Sequence, residues 1–182
     1  MTVAVNTRSN RSLLIASLAL CAGMAGCMRS EGGLPVKQDR FVKFTSHLGN
    51  SFVAPSQWTA TDKGDTFSLK SPDGHAVITT TVYTSEGSGS LDEFREIMTA
   101  GLLPDGASRW QDSKWTTIKL GDVDAHTREL IAIPDSDTQW RLYVVDGGKY
   151  YHAIFLHASK ITMALNGEVY ESIVMTFEGI RE

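Results

Sequence analysis

The chain reads as an α+β protein, one sheet with helices packed against it, and three observations predict this. Strand-length runs rich in Val, Ile, Thr and aromatic residues recur between residues 41 and 156, each bounded by Gly, Pro, Asn or Asp. The later runs follow one another closely enough for an antiparallel meander. One capped amphipathic helix interrupts the runs and a second helix closes the chain.

Taken in order, Phe41-Val42-Lys43-Phe44 and Ser51-Phe52-Val53-Ala54 flank His47-Leu48-Gly49-Asn50, whose Gly and Asn suit a tight turn. Pro55 then stops the second strand. Phe67 to Lys70 is a further run. It leads into Ser71-Pro72-Asp73-Gly74, with Pro set for the second turn position and Gly free to take positive φ. His75 to Tyr83 is a strand, and Gly87-Ser88-Gly89 is a loop. The first helix is expected near residues 90–102. Ser90 and Glu93 form a capping box there, and Asp92 and Glu93 complement the macrodipole. Leu91, Phe94, Ile97, Met98 and Leu102 make its apolar face. Four strand runs follow: Trp115 to Leu120, Ala125 to Ile133, Gln139 to Val145 and Tyr150 to Leu156. The last helix is expected near residues 161–177. Asn166 is a candidate cap, with Val169, Tyr170, Ile173 and Phe177 on one face.

Residues 1–26 read as an export signal rather than as fold. Arg8 and Arg11 precede an apolar stretch from Leu13 to Leu20, and no acidic residue occurs before Glu31. The apolar part ends near Ala25, short of the ~20 residues that a membrane-spanning helix needs. Met24-Ala25-Gly26-Cys27 resembles a bacterial lipobox, in which an apolar residue and two small residues precede a cysteine. That resemblance implies a signal peptide removed before Cys27, with acyl chains such as palmitate on Cys27. Each buried CH₂ contributes about 0.8 kcal/mol, so two or three chains hold a protein to a bilayer where one does not. Met28, rather than Asp, follows the cysteine. In bacteria with two membranes that pattern resembles sorting to the outer membrane, facing the periplasm. The alternative is plain secretion with Cys27 as a free thiol. Residues 27–39 are then a polar lipidated tether, and residues 40–182 a single domain.

Composition narrows the function. Hydrophobic residues at 42% and charged residues at 21% fit a globular chain rather than a disordered one. The isoelectric point near 5.7 argues against a nucleic-acid partner. From residue 27 onward 15 basic residues face 21 acidic ones, a net charge of −6. An anionic membrane surface would repel such a domain, so the anchor and not the protein surface is expected to hold it. With Cys21 in the signal and Cys27 acylated, no cysteine remains for a thiol nucleophile, a redox pair or a zinc site.

Several landmarks together resemble the PsbP-like superfamily, which includes DcrB-type bacterial lipoproteins and Ran-binding Mog-type proteins. They are Phe52-Val53-Ala54-Pro55 with Trp58, Phe67-Ser68-Leu69-Lys70-Ser71-Pro72-Asp73-Gly74 with Ala76-Val77-Ile78, Asp146-Gly147-Gly148-Lys149-Tyr150-Tyr151, and a closing helix with Ile173-Val174 and Phe177. The resemblance spans about residues 40–180. It implies an α/β/α sandwich around a central antiparallel sheet. It supplies no catalytic residues, and members of the family are mostly accessory or assembly factors.

Side chains that could carry chemistry are dispersed. His152 and His157 lie five apart on one strand run and should point to opposite faces. His126 shares a strand face with Asp124, and a neighbouring strand could bring His152 to them as a metal cluster; ordinary histidines are the default, and no metal or cofactor is expected. Ser56, Ser68, Ser71 and Ser159 lack a nucleophile elbow. The Gly87-Ser88-Gly89 loop has no Lys or Arg to hold a phosphate. Trp110, in the polar stretch Ser108-Arg109-Trp110-Gln111-Asp112, and Trp58 are the candidates for a partner surface. The expectation is therefore a membrane-anchored, non-catalytic binding or assembly module of the cell envelope that contacts another envelope protein. The alternatives are a small-molecule carrier, using a pocket between sheet and helix, and an envelope hydrolase.

Overall fold

The computed structural model describes residues 40–101, 109–112, 114–133 and 137–180. The strands are β1 (Phe41–Thr45), β2 (Ser51–Pro55), β3 (Thr59–Lys63), β4 (Thr66–Lys70), β5 (Ala76–Thr84), β6 (Arg109–Asp112), β7 (Thr116–Leu120), β8 (Val123–Ile133), β9 (Thr138–Asp146) and β10 (Tyr150–Ser159). Helix α1 (Leu91–Gly101) follows β5, and α2 (Lys160–Val174) follows β10. Strands β3 to β10 form one antiparallel sheet in the order β3-β4-β5-β10-β9-β8-β6, with β7 pairing a different stretch of β8. β1 and β2 form a separate hairpin.

Alternation along the strands creates two cores. Tyr143 and Val145 of β9 and Ile154, Leu156 and Ala158 of β10 pack with Met163, Tyr170, Ile173 and Val174 of α2. Leu142 and Val144 of β9 and Tyr151 and Ala153 of β10 point the other way and pack with Phe94 of α1. The helices therefore cover opposite faces, and the architecture is the expected α/β/α sandwich. The hairpin adds Phe52 and Ala54 to the α2 side. It is fastened by the backbone pairing of Ser51 with Glu178 and by Val53 N–H donating to Thr176 Oγ1 at 2.7 Å.

Local chemistry explains the element boundaries. Glu93 N–H donates to Ser90 Oγ at 3.3 Å and Ser90 N–H to Glu93 Oε2 at 2.8 Å, so the capping box opens α1. The turn after β4 closes with Gly74 at φ 75° and its N–H donating to the Ser71 carbonyl at 2.9 Å. Ser159, and not Asn166, caps α2: its Oγ accepts from Thr162 N–H at 3.1 Å. The cap therefore lies almost two turns before that residue.

Other differences share one cause, tertiary pairing that local composition does not announce. β3 has a polar sequence, Thr-Ala-Thr-Asp-Lys, and every residue is exposed because it forms the sheet edge. Trp110 lies in β6, paired with Ala132, and not in a loop. Ile97 is 57% exposed and Val169 50%, so neither lies on the buried face its helical spacing suggested. Leu102 lies outside the described residues. Phe177 follows the end of α2, yet packs in the core 5.2 Å from the Phe52 ring.

Replacing Ser90 with Ala is expected to lower the unfolding free energy by about 1 kcal/mol, through loss of the cap. Phe94→Ala should cost about 3–5 kcal/mol, because it opens a cavity between α1 and the sheet. Both are read as shifts in the urea midpoint at unchanged slope.

Candidate functional site

A cleft of about 280 Å³ lies where α2 leaves the sheet uncovered. Ile118, Thr127, Tyr143 and Met175 line it with the charged side chains of Glu129, Arg141 and Glu171. Register brings them together: Arg141 of β9 sits directly opposite Glu129 of β8, and Thr127 opposite Tyr143. α2 supplies Glu171, whose carboxylate accepts from Arg141 Nη1, while Arg141 Nη2 lies 3.6 Å from Glu129 Oε2. Arg141 is thus held between two carboxylates. Burial pushes the Tyr143 phenol far above its ordinary value; Arg141 beside it opposes this and Glu171 reinforces it. At neutral pH the cleft therefore presents a protonated phenol and a neutralised guanidinium, groups suited to hydrogen bonding and not to nucleophilic attack. Its volume falls just under the ~300 Å³ at which small-molecule pockets usually begin, and its walls are charged, which fits the carrier alternative poorly.

A second cluster surrounds His152, which is 1% exposed. Its Nε2 lies 3.3 Å from the Ile180 carbonyl and its ring packs edge-on against Phe177 at 5.5 Å. Gly179 suits this closeness: a Cβ there would lie 3.0 Å from His152 Nε2 and 3.0 Å from the Phe177 ring, so the neighbours would have to give way. Burial lowers the His152 pKa, with the Ile180 carbonyl opposing. His157 points to the opposite face, as the strand period requires, and stacks on Trp140 at 4.4 Å. Burial lowers its pKa too. His126 faces the α1 side, whereas His152 faces the α2 side, so the sheet separates the histidines that the sequence could have joined. Burial, aided by Arg95, lowers the His126 pKa against nearby carboxylates.

Three of the four candidate serines have structural partners. Ser68 bonds Thr79 across the sheet at 3.0 Å, Ser71 holds Asp73 and the Ala76 N–H in its turn, and Ser159 caps α2. Trp58 is 7% exposed and meets Tyr170 edge-on at 5.9 Å, so it belongs to the core and offers no partner surface. The backbone position of Trp110 is described, on edge strand β6. Cys27 lies outside the described residues. Trp115, which the sequence did not single out, receives the guanidinium groups of Arg95 and Arg128 over its ring at 5.2 and 5.5 Å. Its indole N–H donates to Glu96, which ties α1 to the sheet.

No family model and no curated protein sequence matches the chain. Solved structures do match. Cyanobacterial PsbP (CyanoP) from Synechocystis sp. PCC 6803 aligns with a TM-score of 0.61 over 82% of this chain and 98% of that one, at 9% identity. The chain has a PsbP/Mog1-type fold. The Ran-binding protein Mog1p of Saccharomyces cerevisiae aligns at 0.53 over 79% of this chain and 97% of its own, also at 9% identity. PA94 from Pseudomonas aeruginosa aligns at 0.50 over 78% and 99%, at 13% identity. At such identities the PsbP/Mog1-type fold is what is shared, and fold alone does not carry function.

An imidazole whose folded pKa lies below its unfolded value stabilises the fold fully above about pH 6.5, and that contribution is lost as pH falls toward the folded value. His126, His152 and His157 all shift in this direction. Unfolding free energy is therefore expected to fall from about pH 8 to about pH 5. His152→Gln should flatten part of that slope in a series of urea midpoints, and an unaltered slope would contradict the assignment to His152.

Proposed function

We propose that this chain is a non-catalytic binding module of the cell envelope, held to the membrane by acyl chains on Cys27 and contacting another envelope protein. The observation that carries the non-catalytic reading is the cleft beneath α2. Its guanidinium is shared between Glu129 and Glu171, and its phenol is held protonated by burial. A guanidinium and a phenol so engaged recognise a surface or stabilise the domain; neither accepts a proton at neutral pH. The reading also agrees with the structural neighbours, one of which, Mog1p, is a Ran-binding protein. The anchor rests on Met24-Ala25-Gly26-Cys27 directly after an apolar stretch, and on the tether of residues 27–39 before the first strand. In a bacterium with two membranes the outer membrane is the expected location, with the domain facing the periplasm.

Cys27→Ser is expected to abolish fatty-acid labelling and release the protein from the membrane fraction. Retention of the substituted chain in membranes would overturn the anchor. Extraction in mild detergent followed by affinity purification should return one reproducible envelope protein in stoichiometric amount. A chain that returns alone would overturn the partner.

A further inference from the structure

We propose that His152 is an acid-operated latch: when its imidazole takes a second proton, residues 178–180 leave the sheet while the rest of the domain stays folded. The latch is built by close packing on one nitrogen. His152 is buried on β10, flanked in register by Val145 of β9 and Val82 of β5. The tail that follows α2 lies over it, with the Phe177 ring edge-on at 5.5 Å and the Ile180 carbonyl 3.3 Å from Nε2. The turn between β9 and β10 closes another side: a Cβ on Gly147 would lie 3.2 Å from Nε2 and 3.0 Å from the Ile180 oxygen. A carbonyl can only accept, so Nε2 carries the proton of the neutral ring. Nδ1 has no hydrogen-bond partner among the described residues. A second proton must go there. It would create a buried N–H without an acceptor and a buried charge without a counterion.

The charged and titratable groups around the ring are engaged elsewhere. At the end of β9 the Asp146 carboxylate accepts from Gly148 N–H at 2.8 Å, and Tyr143 is held by Arg141. Glu171 of α2 is also held by Arg141, and Glu178 of the tail faces Lys43 of β1 at 2.5 Å. β5 brings only Tyr83, which packs on Phe94 on the opposite face, and on β10 Tyr150 lies under Lys149. Arg181 and Glu182 lie outside the described residues. Burial disfavours the imidazolium, and the Ile180 carbonyl alone opposes this.

The tail is the part that can yield. Two backbone bonds of 2.9 and 3.0 Å between Ser51 and Glu178 hold it, together with the contact of Ile180 on His152. Phe177, just before, is buried in the core and its N–H donates to the Val174 carbonyl at 3.0 Å, so opening stops there. Chain ends open at a small fraction of the global free energy, whereas β9 and β10 are each paired on both sides. The turn of the first hairpin responds in the opposite sense. His47 Nδ1 lies 2.8 Å from Asp62 Oδ1, and the His47 backbone N–H donates to Oδ2 at 2.6 Å. That backbone bond holds the Asp62 carboxyl below its ordinary value, so an imidazolium at His47 meets a carboxylate. Acid thus tightens the hairpin against β3 while it frees the tail, and the Ser51 backbone groups are left unpaired. In the open form the His152 ring is in water. Opening therefore begins below about pH 6.5 and is favoured about tenfold by each further unit, until the closed form itself binds the proton.

Hydrogen exchange of the full chain in mild detergent, corrected for the intrinsic rate at each pH, tests the latch. Protection of the Ser51 and Glu178 amides is expected to be constant at pH 7–8 and to fall about tenfold between pH 6 and pH 5, while Leu142 to Val145 stay protected. His152→Gln, whose amide can still donate to the Ile180 carbonyl but does not titrate, should abolish the fall. A fall that persists in this variant, or that appears equally in β9 and β10, would overturn the proposal. So would its disappearance when Arg181→Gln and Glu182→Gln are combined with His152 intact. Should the His152→Gln chain not fold, the His152 ring is titrated by NMR in the unaltered chain. Protonation that tracks the loss of protection sustains the latch, and protonation at a different pH overturns it.

Discussion

The pairing of β9 with β10 is the constraint on which the rest of the domain depends. Leu142 to Val145 and Tyr151 to Ile154 are buried without a break, because each strand has a helix on both sides. A slip of one residue would turn Leu142 and Val144 toward α2, and Tyr143 and Val145 toward α1. Both cores would then be filled by the wrong side chains, and Arg141 would leave Glu171 on one face for the Trp115 side on the other. The register thus sets the cores and the charged cleft at once. Because the central strands are sealed, the charged groups of the cleft lie at the margin, where β7, β8 and the last turn of α2 leave the sheet open.

Much of this was legible in the sequence where short-range chemistry decides. Ser90 and Glu93 make the same pair of bonds that their spacing implies. The Ser71-Pro72-Asp73-Gly74 turn closes, and His152 and His157 fall on opposite faces. Legibility fails where burial is decided at long range. α2 carries two apolar stripes, so spacing alone could not say that Tyr170 goes inward and Val169 outward. β3 has no core face to pattern it and exists because β4 offers an edge. Trp58 could have been a contact residue until Tyr170, from the far end of the chain, is placed against it.

The candidate cleft was illegible for a related reason. Glu129, Arg141 and Glu171 carry no motif; they meet because a hairpin register and a helix docking angle coincide. Such a triad need not have been kept for chemistry. A partly buried guanidinium that satisfies two carboxylates fixes how α2 lies on the sheet, and removing one partner would leave the others uncompensated. The cleft therefore depends on how one helix is seated, because Glu171 belongs to α2 while Glu129 and Arg141 belong to the sheet.

The fastening of the first hairpin by the last residues has a consequence for how the chain folds. Ser51 and Glu178 exchange backbone hydrogen bonds of 2.9 and 3.0 Å across 127 residues of sequence. The first hairpin therefore cannot complete its hydrogen bonding until the residues after α2 have been synthesised. Two-stranded hairpins are marginal on their own in water. Phe52 and Ala54 must wait uncovered, and closing so long a loop carries the entropic cost that makes non-local topologies slow to form. The domain therefore stays open along most of its length until its closing residues are in place, and closes late rather than piece by piece.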